Sequence, residues 1–431
     1  MKMSRFAAVT AVAVAGALAL GGCGSSGSDG SGGQSGSSKA DTIQFMFRGG
    51  PDEKAAYEEA IARFTEETGT KVDIIVTDAD QYGTKLQAAV SGGKVPDVFY
   101  IEQSNLQSYV HSGVPMDITD EIAASGVDLD NIWPYGVDSY RFDGVLQGTP
   151  EGRLYGLPKD VGPFAFGYNV TMFENEGIPL PDKDKGYNWD EFVEVCQKLT
   201  KDTGSGKIDQ WGTGLNVMWN LQALVWSNGG DWTNADRTQV TVDTPEFAEA
   251  LQYFADLTNV YEVTPSASDA ATLDTYQRWM AGEIGFFPVG PWDVSVYNEL
   301  DFEYDLIPWP VGATGEPATW IGSLGIGVSA KTKNPEAAVK LVTYLSADKT
   351  AQETLVDAGI QVPNLIDMAE EWAAVTDSEP ANREEFLTII QKTGRAMPAA
   401  FTYGGQWYDE LWTNIQPVPL KQSSAKRPRD E

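Results

Sequence analysis

The chain has 431 residues, 42% of them hydrophobic, and its 62 Asp and Glu against 30 Lys and Arg give a net charge of −32. Because so acidic a surface repels nucleic acid phosphates, we exclude nucleic acid as a partner. His111 is the only histidine, which excludes a multi-histidine metal site, and we predict neither a metal nor a cofactor. The length exceeds what one hydrophobic core usually covers, so two domains are expected.

The amino-terminal segment has the pattern of a signal peptide over residues 1–22, with a basic start and the apolar run Phe6–Leu20. That run is shorter than the roughly 20 residues of a spanning helix, although a retained membrane anchor is the alternative. The sequence LGGC, ending at Cys23, resembles the bacterial lipobox, which implies lipidation of that cysteine. Residues 23–40 then form a lipidated cysteine and a flexible Gly/Ser tether, and the mature protein is expected on the outer face of the bacterial cell membrane.

The next hundred residues alternate strand and helix patterns. Strands are predicted at Thr42–Gly50, Lys71–Asp78 and Asp97–Ile101, and the first intervening helix ends at Gly69. This β-α-β-α-β order predicts a parallel sheet with helices on both faces.

Polar residues follow the predicted strands of this sheet. In such folds the ligand lies outside the carboxyl ends of the strands. This places Arg48, Asp78–Gln81 and Glu102–Asn105 at one rim, and we take Arg48, Gln103 and Asn105 as candidate ligand-binding residues. The alternative for each is an ordinary polar residue of a solvent-exposed loop.

A second block of strand and helix patterns begins near Gly152. One of its helices is predicted to start after Asn188 as N-cap and to end by Gly204, with Cys196 on its apolar side as a small core residue. The alternation continues to about residue 346, which indicates a second α/β unit.

Several motifs in order resemble the extracellular sugar-binding proteins of bacterial ABC importers, the family that includes the maltose-binding protein. They are GGKVPDVFYI, GLPKDVGPFAFGYNVTMFENEGI, WDEFVEVCQKL, MAGEIGFFPVGPWDV and NPEAAVKLVTYLSADKTAQETLVDAGIQVP, and the resemblance covers Thr42 to Gln416. It implies an α/β, two-lobed periplasmic-binding-protein-like fold. Each lobe would be a mainly parallel sheet flanked by helices, and a hinge would join the two lobes.

The resemblance also implies how the chain is divided between the lobes. Lobe 1 would comprise 41–158 and 321–346, and lobe 2 would comprise 163–316 and 350–416. The chain would cross near Leu157–Phe164, return near Trp320–Gly325 and leave again near Ser346–Thr350. Residues 417–431 carry three prolines and four basic residues where the family usually ends in a helix. We expect an atypical basic tail there, either a truncated or frame-shifted terminus or a natural disordered segment.

A sugar offers hydroxyl groups to polar side chains and faces of C–H bonds to flat aromatic rings. By resemblance, Trp292 matches a platform in the family's GxW turn, and Trp407 and Tyr408 match an aromatic pair near its carboxyl end. Trp219 and Trp320 lie in or beside predicted loops, and a core position is the alternative for every Trp. Asp293 adjoins Trp292, and Asp160 follows the crossing strand, where the family often presents a carboxylate. The candidate ligand-binding residues are therefore Trp292, Trp407, Asp160, Trp219, Trp320, Asp293, Gln103, Asn105, Arg48 and Tyr408.

The resemblance implies high-affinity capture of an extracellular oligosaccharide and its delivery to the permease subunits of an ABC importer, by a monomer that is not an enzyme. The stretch Ile101–Asn105 departs from the maltose-binding member, which argues against maltose itself. Two alternatives stay open: a non-carbohydrate solute such as a polyol, and a cell-surface glycoside hydrolase. A phosphorylated polyol would require clustered Arg or Lys, which the predicted loops lack.

Overall fold

The computed structural model describes residues 42–375 and 379–415. The signal peptide, Cys23, the tether 23–40 and the tail 417–431 lie outside these residues, and what the sequence predicts for them stays a prediction. The described strands are β1 Thr42–Arg48, β2 Lys71–Thr77, β3 Val98–Glu102, β4 Arg141–Phe142, β5 Arg153–Leu154, β6 Leu157–Pro158, β7 Gly162–Pro163, β8 Ala165–Asn169, β9 Trp211–Thr213, β10 Ile284–Val289, β11 Tyr304–Ile307, β12 Thr319–Gly322, β13 Leu324–Val328 and β14 Gly394–Ala396.

The described α-helices are α1 Pro51–Thr68, α2 Ala79–Ser91, α3 Leu106–His111, α4 Thr119–Ser125, α5 Pro134–Asp138, α6 Val170–Asn175, α7 Trp189–Leu199, α8 Leu221–Ser227, α9 Pro245–Asn259, α10 Ala267–Ala270, α11 Thr275–Met280, α12 Val294–Tyr297, α13 Pro335–Ala347, α14 Lys349–Asp357, α15 Ile366–Ala373, α16 Glu384–Thr388 and α17 Gln406–Ile415. Short 3₁₀ turns occupy Gln103–Asn105, Leu129–Asn131, Met218–Asn220 and Pro291–Asp293, and a π-helical turn occupies Ile389–Thr393. Within the described ranges, no helix combines the length and the apolar character needed to cross a bilayer.

Local signals in the sequence set the ends of the helices. α1 stops at Gly69, whose φ of 73° is a left-handed conformation that glycine adopts without steric cost. α7 begins at Asn188, whose side chain accepts a hydrogen bond from the backbone N–H of Glu191, while the Glu191 carboxylate accepts one from the backbone of Asn188. The end of α1 and the start of α7 were both predicted from the sequence. Cys196 on α7 is fully buried, as expected.

The first sheet has the strand order β2-β1-β3-β13-β6. β1 pairs in parallel with β2 and β3, and β13 runs antiparallel to β3 and β6. Its core contains a group of fully buried aromatic rings that pack at centroid distances of 4.7–6.3 Å: Phe45, Phe47, Tyr57 and Tyr100. Because β1 and β3 are parallel, their carboxyl ends at Arg48 and Glu102 lie at one edge of the sheet.

The second sheet has the order β11-β8-β10-β9 and is mixed rather than mainly parallel. β8 is antiparallel to both of its neighbours, and only β9 and β10 are parallel. The chain reaches β8 directly from β6 and β7, which lie in other sheets. The alternation of strand and helix patterns predicts parallel strands only where a helix connects two strands of the same sheet. Because β8 follows strands of other sheets, that alternation does not determine its direction.

A small third sheet has the strand order β14-β12-β7, and the chain passes from it into each of the other two sheets. β12 is followed after one residue by β13 of the first sheet, and β7 is followed after one residue by β8 of the second. The segment after Ser346 contributes to two cores, since Ala351 and Leu355 pack around the first sheet and Phe386 packs with Trp279 beside the second. The lobe boundaries given above stay a prediction.

Candidate functional site

Four aromatic side chains with nearly parallel planes form a continuous surface, which we call the aromatic wall. The ring of Phe164 stacks on Trp320 at 4.4 Å, on Trp219 at 5.4 Å and on Trp292 at 6.1 Å between centroids. The corresponding interplanar angles are 24°, 13° and 8°. Three predicted tryptophans from distant parts of the sequence are therefore brought together by one phenylalanine.

The members of the aromatic wall differ in exposure, and this defines its free face. Phe164 and Trp320 are buried at 5% and 6% exposure, whereas Trp219 is 44% exposed and Trp292 is half-buried. The buried pair supports the ring planes from behind. The face available to another molecule is therefore provided by Trp219 and Trp292.

Two glycines allow the Trp292 ring to lie flat against the backbone. β10 ends at Val289, and Gly290 and Pro291 lead into the 3₁₀ turn that carries Trp292. A Cβ at Gly290 would lie 2.2 Å from the indole, and one at Gly162 would lie 3.0 Å from it. Any larger residue at Gly290 would displace the ring, so the GPW sequence sets the position of this platform.

Asp293 presents a carboxyl group beside the wall. Burial raises its pKa to about 6, while hydrogen bonds from the side chains of Trp292 and Tyr276 favour the charged form and limit this rise in pKa. Its carboxyl is therefore largely ionised at neutral pH and can accept hydrogen bonds from hydroxyl groups of a ligand.

Arg48 and Asn105 both contact Glu102 at the edge of the first sheet. Arg48 Nη2 lies 3.6 Å from Glu102 Oε1, and Asn105 Nδ2 donates to Glu102 Oε2 at 3.4 Å. Glu102 pairs with Leu324 in the β3–β13 ladder. Leu324 follows Trp320 by four residues, at most about 13 Å of chain, so this polar edge and the aromatic wall are connected through the short link between β12 and β13.

Gln103, another predicted site residue, is buried at 5% exposure and has internal partners. Its Nε2 donates to the Tyr135 hydroxyl at 2.9 Å and to Ser139 Oγ at 2.7 Å. These bonds satisfy both amide hydrogens. In this structure Gln103 therefore orients Tyr135 rather than offering free donors, and its contact with a ligand stays a prediction.

Asp160 connects the two chain crossings. Lys159 Nζ donates to its Oδ2 and the backbone N–H of Leu324 donates to its Oδ1, both at 3.0 Å. Ser323 Oγ also donates to its backbone carbonyl at 2.6 Å. Since both carboxylate oxygens have partners and the residue is 8% exposed, Asp160 has a structural role here, and ligand contact stays a prediction.

Trp407 and Tyr408 open α17 and pack against the same hydrophobic core as the aromatic wall. Tyr408 is 8% exposed, and its hydroxyl accepts a 2.6 Å hydrogen bond from Gln222 Nε2. Trp407 is half-buried, and its Nε1 donates to Thr402 Oγ1 at 3.2 Å. Of this pair, Trp407 thus retains the larger exposed surface, while Tyr408 is mainly a core residue.

The sequence did not single out Phe164, and it placed Glu102 at the rim of the first sheet without choosing it as a ligand-binding residue. Phe164 ends the predicted crossing, directly after Gly162 and Pro163, and an aromatic residue behind that pair is the signal that could have identified it. Glu102 lies between the chosen Arg48 and Gln103 in the structure, at the last position of β3. The sequence shows that Glu102 ends a predicted strand, but it does not show that Glu102 pairs with Arg48.

Comparison with known proteins gives a family match over most of the chain. The model of the family described as bacterial extracellular solute-binding protein matches residues 50–352. A putative ABC transporter periplasmic-binding protein of Escherichia coli is 26% identical, covering 75% of this chain and 73% of its own length. The multiple sugar-binding protein of Streptococcus mutans is 24% identical, with 73% and 74% covered. The maltodextrin-binding protein of Bacillus subtilis is 21% identical, with 86% and 83% covered.

Solved structures of similar fold cover nearly the whole chain. An ABC substrate-binding protein of Listeria monocytogenes in complex with cycloalternan has a TM-score of 0.78 at 23% identity, covering 90% of this chain and 95% of its own. The maltose/maltodextrin-binding domain of Bdellovibrio bacteriovorus bound to maltotriose has a TM-score of 0.67 at 21% identity, with 88% and 94% covered. These likenesses confirm the predicted two-lobed α/β fold.

Proposed function

Since the chain belongs to the bacterial extracellular solute-binding protein family, we propose that it captures an oligosaccharide outside the cell and delivers it to the permease subunits of an ABC importer. Relatives whose names state multiple sugars and maltodextrin as ligands support this proposal, as does the fold shared with a protein solved in complex with cycloalternan. The observation that carries the proposal is the aromatic wall.

The chemistry of the wall suits a sugar ring. Its free face, Trp219 and Trp292, is flat and apolar and lies on a buried backing of Phe164 and Trp320, so few rotatable bonds need to be ordered on binding. Asp293 beside it accepts hydrogen bonds from sugar hydroxyls. Together these groups match the two surfaces of a sugar, the C–H face and the hydroxyl edge.

We propose capture without hydrolysis. A glycoside hydrolase would place two carboxyl groups about 5–10 Å apart across the scissile bond, one of them with a raised pKa. The raised pKa of Asp293 meets one half of that requirement, so hydrolysis is the alternative to test. Incubation of the protein with the best-binding oligosaccharide should release no reducing ends, and steady release would favour the hydrolase.

We further propose that the mature protein is a monomer attached to the outer face of the cell membrane through lipid on Cys23. The proposal rests on the lipobox-like LGGC sequence at the junction of an apolar run and a Gly/Ser tether. Two or more acyl chains, at about 0.8 kcal/mol for each buried CH₂, anchor a protein stably. The tether would leave the acidic body free of the anionic lipid surface.

The central experiment is a thermal-shift screen followed by calorimetry. The mature protein is tested against neutral oligosaccharides, monosaccharides, polyols and amino acids. A ligand that binds only the folded state raises the melting temperature according to its concentration relative to Kd. Oligosaccharides should give the largest shifts. A shift with polyols or amino acids and none with any sugar would contradict the proposal and favour the non-carbohydrate alternative.

A further inference from the structure

A polar cavity lined in part by residues of α8 and β14 contains two arginines. This cavity, which we call the arginine pocket, has a volume of about 260 Å³, and its lining residues include Trp226, Asp231, Arg237 and Arg395. Small-molecule sites usually measure roughly 300–1,000 Å³. The arginine pocket is therefore suited to one ring or substituent of a larger ligand.

Strand pairing places the arginine pocket beside the wall. β12 and β14 are parallel, and Trp320 is opposite Arg395 in their register. Residues in register on parallel strands project from the same face of a sheet. Helix α8 makes a second connection, because Trp219 lies two residues before its first residue and Trp226 is in its last turn.

Arg395 is held in place without losing all of its donors. Its guanidinium lies 5.9 Å from the centre of the Trp226 ring, and Nη1 lies 3.8 Å from Asp231 Oδ2. Asp231 Oδ1 already accepts hydrogen bonds from Trp226 Nε1 at 2.9 Å and from the backbone N–H of Trp232 at 2.7 Å. The carboxylate thus fixes the pocket wall, and the half-exposed Arg395 guanidinium keeps donors for a ligand.

Arg237 is the more deeply placed of the two cations. Nη1 donates to the carbonyl of Ala400 at 2.7 Å, and the guanidinium lies 5.0 Å from the centre of the Phe401 ring. The charge of Asp231 in the same pocket acts on Arg237 as well and favours its charged form. Burial nevertheless lowers the pKa of Arg237, so the cost of keeping this charge away from water exceeds the stabilisation that its neighbours provide.

The backbone around Arg237 is also strained. Arg237 and Phe401 have φ values of 55° and 61°, in the left-handed region that non-glycine residues seldom adopt, and these two residues are in contact with each other. Such strain persists only where surrounding contacts hold it, and it is concentrated at ligand-binding positions. The Arg237–Phe401 contact thus resembles a preformed part of a site.

We propose that the arginine pocket receives an anionic group carried on one ring of the oligosaccharide, such as the carboxylate of a uronic acid. This inference rests on the proposed function and specifies its substrate class. The lining presents two guanidinium groups against one carboxylate, a local excess of positive charge on a protein of net charge −32. Long-range repulsion from that net charge is screened within about 8 Å at physiological salt, whereas paired guanidinium–oxyanion bonds act at contact.

The test compares ligands that differ in one group. Maltotriose, mannotriose and cellotriose are each measured by calorimetry beside counterparts with a C6 carboxylate or a C6 phosphate on the terminal ring. At least one anionic counterpart should bind about tenfold or more tightly than its neutral parent, since charge-assisted bonds are roughly twice as strong as neutral ones. The carboxylate and phosphate arms identify which anion is preferred.

Variants of the two arginines test whether a preference for anionic over neutral sugars comes from the arginine pocket. Arg395→Gln and Arg237→Gln should each remove most of the anion preference while changing neutral-sugar affinity less than about threefold. Arg153→Gln, a half-exposed arginine paired with Asp117 and Asp120, is the matched control and should keep the preference. If Arg237→Gln does not fold, the half-exposed Arg395→Gln decides alone.

The outcomes separate two failures. If neutral trisaccharides bind and the anionic ones bind equally well or more weakly, the arginine pocket proposal is overturned and oligosaccharide capture stands. If an anion preference persists in Arg395→Gln, the preference lies elsewhere and the proposal is again overturned. If no trisaccharide of any charge binds, this inference is overturned, and the proposed function fails with it only if the thermal-shift screen also finds no sugar that binds.

Discussion

Trp219→Ala should weaken oligosaccharide binding strongly, because this side chain provides the most exposed ring of the aromatic wall. A tryptophan side chain has roughly 250 Å² of surface. At 44% exposure, about 110 Å² is free for a ligand to cover. At about 25 cal/mol per Å², full coverage is worth about 2.7 kcal/mol and half coverage about 1.4 kcal/mol. These values correspond to roughly 10- to 100-fold in affinity.

The assay is calorimetry with the best-binding sugar at 25 °C, together with the melting temperature of the unliganded protein. Trp219→Ala will lose some stability as well, because part of its ring packs on Phe164 and Trp320. Trp372→Ala is the control, since Trp372 is a half-buried tryptophan that packs against Arg383 and Phe386 and is not one of the four rings of the wall. An affinity within twofold of the parent in a folded Trp219→Ala protein would refute the argument from the wall.

Four further predictions concern titration, anchoring and closure. Sugar affinity should rise with pH through about 6 as Asp293 ionises, and Asp293→Asn should flatten that profile in calorimetry; a parallel profile in the variant would contradict the assignment. Burial raises the pKa of Glu385 to about 8. Between about pH 4.5 and 8 the folded state therefore holds more protons than the unfolded state. The free energy of unfolding should fall as pH rises through this range, by up to about 1.4 kcal/mol per pH unit. Urea unfolding should show a flatter dependence for Glu385→Gln, and an unchanged slope would exclude this group as the cause. Cys23→Ala should move the protein from the membrane to the soluble fraction, unless the parent carries no acyl mass at that residue. Saturating sugar should reduce the radius of gyration in X-ray scattering, as expected when two lobes close on a ligand, and an unchanged radius would count against closure.

Local sequence signals predicted helix ends well, because they act within one element, whereas the two-lobed fold was implied by the family resemblance. The glycine after α1 and the asparagine before α7 mark helix ends through their own conformational preferences. The direction of β8 was not predictable in the same way. It depends on which sheet the preceding strands join, and that is decided by contacts between distant segments.

The candidate site was predictable in its residue types and less so in its geometry. Trp219 and Trp320 were chosen because aromatic residues in loops suit sugars and Trp292 because it matches a family motif, and the structure brings the three together. Gln103 and Tyr408 also have side chains that can bind a sugar, yet their polar groups already form hydrogen bonds with other residues of the protein. A sequence shows which groups can form hydrogen bonds, but not which of them already have internal partners.

Arg237 and Arg395 illustrate the same limit for charge. The two residues are 158 positions apart in the sequence, so their proximity is not visible there. The parallel pairing of β12 with β14 and the loop that contacts Phe401 bring both to one pocket. Long-range pairing of this kind creates local electrostatics that composition alone would not suggest.

The stacked tryptophans also have an optical consequence. Trp320 lies 5.9 Å from Trp292 and 6.3 Å from Trp219, at interplanar angles of 18° and 22°. Indoles at such separations couple their electronic transitions, so the wall should give a paired band of opposite signs in circular dichroism. A ligand that stacks on the free face would change the environment of two of the three chromophores. The protein therefore carries an intrinsic, label-free reporter, positioned where the ligand is expected to bind.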